Sequence, residues 1–314
     1  MFSFLARRLL YGVLMILAIS FLAFTLLYLS GGDIARTLLG DFASEAAVRQ
    51  RAYELGLDRP ILVQYWDWLT SAFRGDFGDS WFRAASVSDL LTSRLAVTLS
   101  LVLVSITLTA IIAMVAGVWA ALHHGGLTDR LIQTLSLAGA AIPNFLIALA
   151  LVTIFAIQLR WLPPTGFTAP ATSVSGWLRS ITLPVIALVI AGVASSAQQF
   201  RSAMIDVLQQ DYIRTLRSRG LPIRSIIFRH ALRNAAGPGM SVLALQFVGL
   251  LAGTVVIENL FAIPGMGSLT VQSTLAGDIP VIMGLIVLVA IVVVAVNLLI
   301  DVMQGWLNPK VRIS

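Results

Sequence analysis

The sequence predicts an all-α integral membrane protein of six transmembrane helices, with both termini in the cytoplasm. Three observations carry this prediction. Of 314 residues, 58% are hydrophobic and only 11% are charged, against about 25% charged in soluble domains. The apolar residues come in long uncharged blocks, so they are not a soluble core divided among amphipathic elements. Six blocks reach about 20 residues, the length a helix needs to cross a hydrocarbon layer about 30 Å thick.

The blocks run Leu9–Ser30, Leu95–Leu122, Leu131–Leu159, Ile181–Phe200, Met240–Ile257 and Ile279–Ile300. Gly117, Pro143, Gly192 and Gly249 fall inside them. Such residues are tolerated where neighbouring helices cover the backbone. The first block could be a cleaved signal peptide, but an apolar stretch of about 22 residues is too long for one. No small-x-small site closes it, so it reads as an uncleaved span.

Orientation follows from the basic residues. Arg7 and Arg8 precede the first span and place the N-terminus in the cytoplasm. Six spans return the C-terminus, with Lys310 and Arg312, to the same side. The loop 201–238 then falls in the cytoplasm, and it carries Arg201, Arg214, Arg217, Arg219, Arg224, Arg229 and Arg233. The opposite loop 258–278 has no basic residue, and 160–180 has only Arg160 and Arg179. Loop 31–94 is basic too, but loops longer than about 60 residues cross largely regardless of charge. The layout is therefore an N-terminal segment and first span (1–30), an outer loop (31–94), a five-helix core (95–304) containing the loop 201–238, and a cytoplasmic tail (305–314).

The outer loop has order of its own. Glu45–Leu55 suits a helix, and Gly56–Leu57–Asp58–Arg59–Pro60 stops it. Ile61, Tyr65, Trp66, Trp68, Leu69 and Phe73 then form an aromatic amphipathic segment. It fits a membrane-interface helix and equally a cap packed over the spans.

Composition excludes several chemistries. There are no cysteines, which removes disulfides, iron–sulfur clusters and thiol catalysis. The histidines are His123, His124 and His230, too few for a histidine-rich metal site. Adjacent His123 and His124 point to different sides of a helix and read as interfacial polar residues. The net charge of +6 is explained by basic cytoplasmic loops, so no nucleic-acid partner is expected. Lys310 is the only lysine and is followed by Val311, so there is no G-x-x-x-x-G-K-[ST] phosphate loop. An intramembrane enzyme would need paired acids or a Ser/His set within the spans, and none is visible. Glu258 and Asp278 sit at outer ends, Asp206 and Asp301 at inner ones. An ion-coupled secondary transporter would place ionisable residues or broken helices at mid-membrane, and neither is evident. A structural scaffold would leave the arginine-rich loop unexplained.

That loop is the most informative stretch. Ile205, Leu208, Ile213 and Leu216 keep roughly helical spacing. Gly220 supplies a stop, and Pro222 suits the first turn of a new helix. Ile223, Ile226, Ile227 and Ala231 mark one face of that helix, with Arg224, Arg229 and Arg233 mainly off it. The prediction is helix, tight turn at Gly220–Leu221, helix. An apolar tip ringed by charge suits a protein partner. The same pattern also suits a helix on anionic lipid headgroups, and the residues alone leave both open.

The loop resembles the conserved cytoplasmic loop of permease subunits in binding-protein-dependent ABC importers. It is most similar to the dipeptide, oligopeptide and nickel branch. The matching residues are Asp211, Tyr212, Ile213, Arg214, Thr215, Arg217, Gly220 and Leu221, then Arg229, His230, Ala231, Leu232, Arg233, Asn234 and Ala235. Leu216 and Arg219 depart from the family's usual Ala and Lys. The resemblance runs along the chain: Arg7–Arg8–Leu9–Leu10, Leu55–Pro60, Arg74–Gly78, Arg94–Leu99, Ile142–Phe145, Trp161–Pro163, Leu183–Pro184, Val256–Glu258, Phe261, Pro264–Gly267 and Asn308–Arg312. Gly32–Asp33–Ile34 and Leu307–Asn308 depart from it.

The resemblance implies a type I ABC importer permease fold in a bacterial inner membrane. It implies a pathway shared with a second homologous permease and two cytoplasmic ATPases that hold ATP and Mg. A periplasmic or lipid-anchored binding protein would deliver substrate. This chain would bind no cofactor or metal. Asp211, Tyr212, Arg214, Thr215, Arg217, Gly220, Leu221 and Arg224 would couple to the ATPase, with Gly220 allowing the turn, Leu221 an apolar knob and Asp211 orienting the loop. The solute would be a di- or oligopeptide, although nickel chelates and haem also use this scaffold. Uncharged polar residues in the spans, Gln198, Gln199, Gln246 and Asn144, are candidates to line the pathway. Hydrogen bonding between helices explains them as well.

Overall fold

A computed structural model describes residues 2–30, 34–40 and 42–307. Gly32–Asp33 and the closing Asn308–Arg312, on which expectations fell, lie outside them. Among the described residues the chain is helical, with no strand beyond an isolated Asp79–Ser86 bridge. In order the helices are α1 (Phe2–Ser30), α2 (Ile34–Leu39), α3 (Glu45–Glu54), α4 (Ile61–Ala72), α5 (Val87–Leu122), α6 (Leu127–Ala141) and α7 (Asn144–Leu151). There follow α8 (Val174–Leu208), α9 (Asp211–Ser218), α10 (Ile223–Ser225), α11 (Leu232–Leu260), α12 (Met266–Ala276) and α13 (Ile279–Leu307). Two π-helical stretches, Val152–Gln158 and Ile226–Ala231, continue α7 and lead into α11.

Among the described residues five helices are long and apolar enough to cross a membrane: α1, α5, α8, α11 and α13. The expected third span is not one straight helix. It breaks into α6 and α7, which meet at 93°. Pro143 is the cause. It lacks an N–H and forces the residue before it out of the helical region, and Ile142 is extended with ψ 121°. Counted as one bent span, the pair brings the number to six.

The chain divides into two compact units, and α5 and α13 contribute to both. One unit holds Val97–Pro264 with 296–307. Its helices meet through small residues. A side chain at Gly117 would meet Phe200 Cβ at 2.7 Å, the Ala197 carbonyl at 2.8 Å and the Arg201 nitrogen at 2.9 Å. Two of these are backbone atoms, which cannot rotate away. Gly117→Val is therefore expected to cost about 1–3 kcal/mol through overpacking, seen as a lower thermal midpoint in detergent. An unchanged midpoint would mean that α5 and α8 are not tightly apposed. Elsewhere in this unit Gln304 Nε2 donates to Ser241 Oγ at 2.9 Å, and the Gly166 N–H donates to the Phe261 carbonyl at 2.8 Å.

The other unit holds Phe2–Ala96 and Gly265–Ala295. α3 starts on Ser44, whose hydroxyl accepts from the Ala47 N–H at 3.3 Å, and ends before Gly56 at φ +68°. This is the helix and stop expected for 45–56. α4 lays Tyr65, Trp68 and Leu69 on Phe24 and Met283 in one cluster, and α12 packs Met266 and Leu269 with Val87, Leu91, Val281 and Leu285. Asp278 is fully buried where α13 begins. It accepts from Ser80 Oγ at 2.5 Å and the Trp81 N–H at 3.2 Å, with Arg83 at 3.7 Å. A buried carboxylate needs such partners.

Candidate functional site

The arginine-rich loop folds as a helix, a turn and a second helix. α8 ends at Leu208, and Gln210 is extended (φ −69°, ψ 147°) at the start of α9. Asp211 occupies the first turn of α9, where a negative charge suits the exposed N–H groups. Ile213 is fully buried, and Tyr212 and Leu216 are half-buried beside it. α9 closes at Gly220, φ +75°. The Gly220 N–H donates to the Arg217 carbonyl at 2.9 Å and the Leu221 N–H to the Leu216 carbonyl at 3.3 Å. This is a Schellman stop, which requires a left-handed residue and is accompanied by an apolar contact from the residue after it. Leu221 makes that contact, packing on the same cluster as Leu216. Leu221, expected as an apolar knob, is half-buried on that cluster.

The second helix starts at Pro222 (φ −65°, ψ 141°). Its carbonyl accepts from the Ser225 N–H at 2.9 Å. Ile226, Ile227 and Ala231 are buried with Ile213, Met204 and Val207. Asn234 Nδ2 donates to the Tyr212 hydroxyl at 2.7 Å and ties the two arms. What protrudes is Ile223, 51% exposed, and Phe228, 70% exposed. Arg214, Arg217, Arg219, Arg224 and Arg229 are exposed around them. The Asp211–Arg214 pair is 3.6 Å long and almost fully exposed, so it contributes little to stability. The π-helical stretch 226–231 lies at the root of this arm, and such stretches often mark functional sites.

Beside the loop, α8 and α11 border an open cleft of about 700 Å³. Gln198, Gln199, Ser202, Asp206, Gln210 and Asn234 line it. Two of the sequence-predicted pathway residues are therefore together. The other two are engaged in helix packing. Gln246 Oε1 accepts from Ser195 Oγ at 3.1 Å, and Asn144 Nδ2 lies 3.0 Å from where a Gly253 side chain would begin.

The family of binding-protein-dependent transport system inner membrane components matches residues 113–313, and its N-terminal companion matches residues 1–102. The chain belongs to this family. A protein of Brucella abortus (strain 2308) named as a peptide transport system permease is 37% identical over 312 residues, 99% of each chain. The glutathione transport system permease protein GsiC of Escherichia coli (strain K12) is 34% identical over 312 residues, again 99% of each chain. Among solved structures, a chain of the MetNI methionine ABC transporter in inward-facing conformations matches at TM-score 0.59 and 15% identity. It covers 70% of this chain and 96% of that one. The fold is that of a type I ABC importer permease, as expected.

The permease also holds ionic contacts that sequence reasoning missed. Asp129, in the first turn of α6, is 1% exposed. Arg201 grips it with two bonds, Nε to Oδ1 at 2.5 Å and Nη2 to Oδ2 at 2.7 Å. The Gly125 N–H and Gln133 Nε2 donate to it as well, each at 2.9 Å. His124 Nδ1 stands 3.0 Å from Arg201 Nη2, whereas His123 bonds the Trp119 carbonyl at 3.0 Å. The two histidines do point apart. Glu258, expected at an outer helix end, is fully buried near the end of α11 and accepts from Thr98 Oγ1 at 2.6 Å. No local pattern announces either contact, since the partners lie 72 and 160 positions apart.

Proposed function

We propose that this permease is one membrane subunit of an ATP-driven peptide importer in a bacterial inner membrane, coupled to its ATPases through the loop around Gly220. The single observation that carries the coupling role is the shape of 211–231. Its underside is buried within the chain, while Ile223 and Phe228 stand exposed in a ring of arginines. Exposed apolar surface bordered by charge marks a partner contact. With Arg7 and Arg8 setting the N-terminus inside, this face meets the cytoplasm. ATP and Mg sit on two partner ATPases, a second permease completes the pathway, and a binding protein delivers the solute. Movement of the ATPases shifts the balance between two arrangements of the spans.

Relatives named for peptide and glutathione transport support a short-peptide solute. The cleft supports it too, since amide and hydroxyl side chains and the Asp206 carboxylate line it. A peptide leaving water needs replacement partners for its own amides. The test is uptake of radiolabelled di- and tripeptides, glutathione included, into proteoliposomes holding the assembled transporter. Accumulation that requires internal-face ATP and the binding protein is expected. Uptake driven by an ion gradient without ATP would overturn the reading in favour of secondary transport.

A further inference from the structure

The outer helix α4 has two apolar edges, and the described residues cover only one of them. Tyr65 and Trp68 pack on α1. Leu62, Trp66 and Phe73 follow the spacing that repeats on one side of a helix, and they are 63%, 63% and 73% exposed. The remaining side is more polar, with Asp67 paired to Arg59 at 2.7 Å and Thr70 and Ser71 to either side of it, and with Val63, 43% exposed, among them. Two adjacent apolar edges and one polar edge form the pattern of a helix lying at a lipid surface.

The depth of α4 identifies what covers the second edge. The Tyr65 hydroxyl lies 2.9 Å from Ser20 Oγ and donates to the Leu17 carbonyl at 3.3 Å. Both are near the middle of the apolar stretch Ala6–Tyr28. A loop resting above the membrane would touch α1 only at its end. The far end of α4 also borders a cleft of about 160 Å³, lined by Val13, Leu17, Ala72, Phe73, Val287 and Ile291. These positions of α1 and α13 are again far from the helix ends. Alongside, α1 itself is largely uncovered, with Leu14, Leu22 and Leu26 more than half exposed. Phe21, 41% exposed, meets Tyr65 edge-on with ring centroids 5.2 Å apart. The bare edge of α4 thus continues the bare surface of a spanning helix at the same depth.

We propose that α4 reaches past the headgroups into the acyl layer of the bilayer beside α1, with Leu62, Trp66 and Phe73 against lipid and an acyl chain in the cleft between α4, α1 and α13.

The chain has no cysteine, so single-cysteine labelling is clean. Nitroxides would be attached at Leu62→Cys, Trp66→Cys and Phe73→Cys, and at Asp67→Cys, Thr70→Cys and Ser71→Cys. The assembled transporter would sit in nanodiscs of phosphatidylethanolamine and phosphatidylglycerol. Collision with oxygen, which partitions into lipid, would be compared with collision with a water-soluble nickel chelate. The first three labels are expected to favour oxygen severalfold over the second three. Preferential access of the chelate to all six would make α4 a water-facing cap and overturn the proposal. Shielding of the first three from both reagents would also overturn it, by showing that protein covers the edge. Six positions keep the pattern readable if one variant does not fold. As an independent check, lipids brominated along the acyl chain are expected to quench Trp66 fluorescence. Quenching that is unchanged in Trp66→Phe would count against the proposal.

Discussion

Gly220→Trp is expected to abolish ATP-driven transport while leaving the permease inserted and folded. The reasoning rests on the turn. Gly220 sits at φ +75°, and nothing lies within 4 Å of where its side chain would begin. A tryptophan there has open space around its first side-chain atom. Its direct penalty is backbone strain, on the order of 1–3 kcal/mol for a left-handed non-glycine residue. Its bulk projects beside Ile223 and the exposed arginines, the face read as the ATPase contact. Gly220→Ala carries the strain without the bulk, and Gly220→Asn carries less strain, since asparagine tolerates this conformation. Transport and ATPase co-purification should therefore fall in the order Asn, Ala, Trp, with only Trp near background. Equal loss with Ala and Trp would assign the effect to the turn itself. Normal uptake and normal ATPase recovery with Trp would sink the coupling assignment.

The loop was legible because its signals are local. Gly220 and Pro222 punctuate it, and Ile213, Ile226 and Ala231 mark the sides that become buried. The packing of Leu221 on Leu216 comes from the Schellman cap and not from periodicity. The spans were legible by position but not by length. α5 begins at Val87 and α8 at Val174, well before the uncharged runs that announce them. An uncharged run measures hydrocarbon, whereas a helix continues into water with Asp89 or Arg179 on its surface. The break at Ile142–Pro143 was written in the sequence as a proline, but tolerance of proline in buried spans made a straight helix equally acceptable. The cleft was half legible. Gln198 and Gln199 are adjacent on α8 and face it, while the fates of Gln246 and Asn144 depend on Ser195 and Gly253, which are remote in sequence.

Arg201→Ala is expected to be among the most destabilising single changes in the permease. Its loss leaves the Asp129 carboxylate, 1% exposed in the intact protein, with a backbone N–H, a glutamine and His124 Nδ1 at 3.4 Å, which is a countercharge only when protonated. Breaking one side of a buried pair costs about 3–5 kcal/mol, because the remaining charge is stranded away from water. Arg201→Lys should recover only part of this, since an ammonium cannot reproduce the two-pronged grip. The pair itself need not be a net stabiliser: removing both charges, as in Asp129→Leu with Arg201→Met, should cost far less than the two single losses added together. The readout is the thermal midpoint in lipid nanodiscs for the four members of the cycle. Arg201 also lies one turn of α8 past Ala197 and ahead of Met204 and Val207, which belong to the cluster beneath the loop. Loosening Arg201 therefore frees the stalk that carries 211–231, and ATPase recovery should decline in step with stability. A single Arg201→Ala variant as stable as wild type would show that Asp129 reaches water in the membrane. Lost coupling at unchanged stability would make the pair a mechanical link between α6 and the loop and not a structural one.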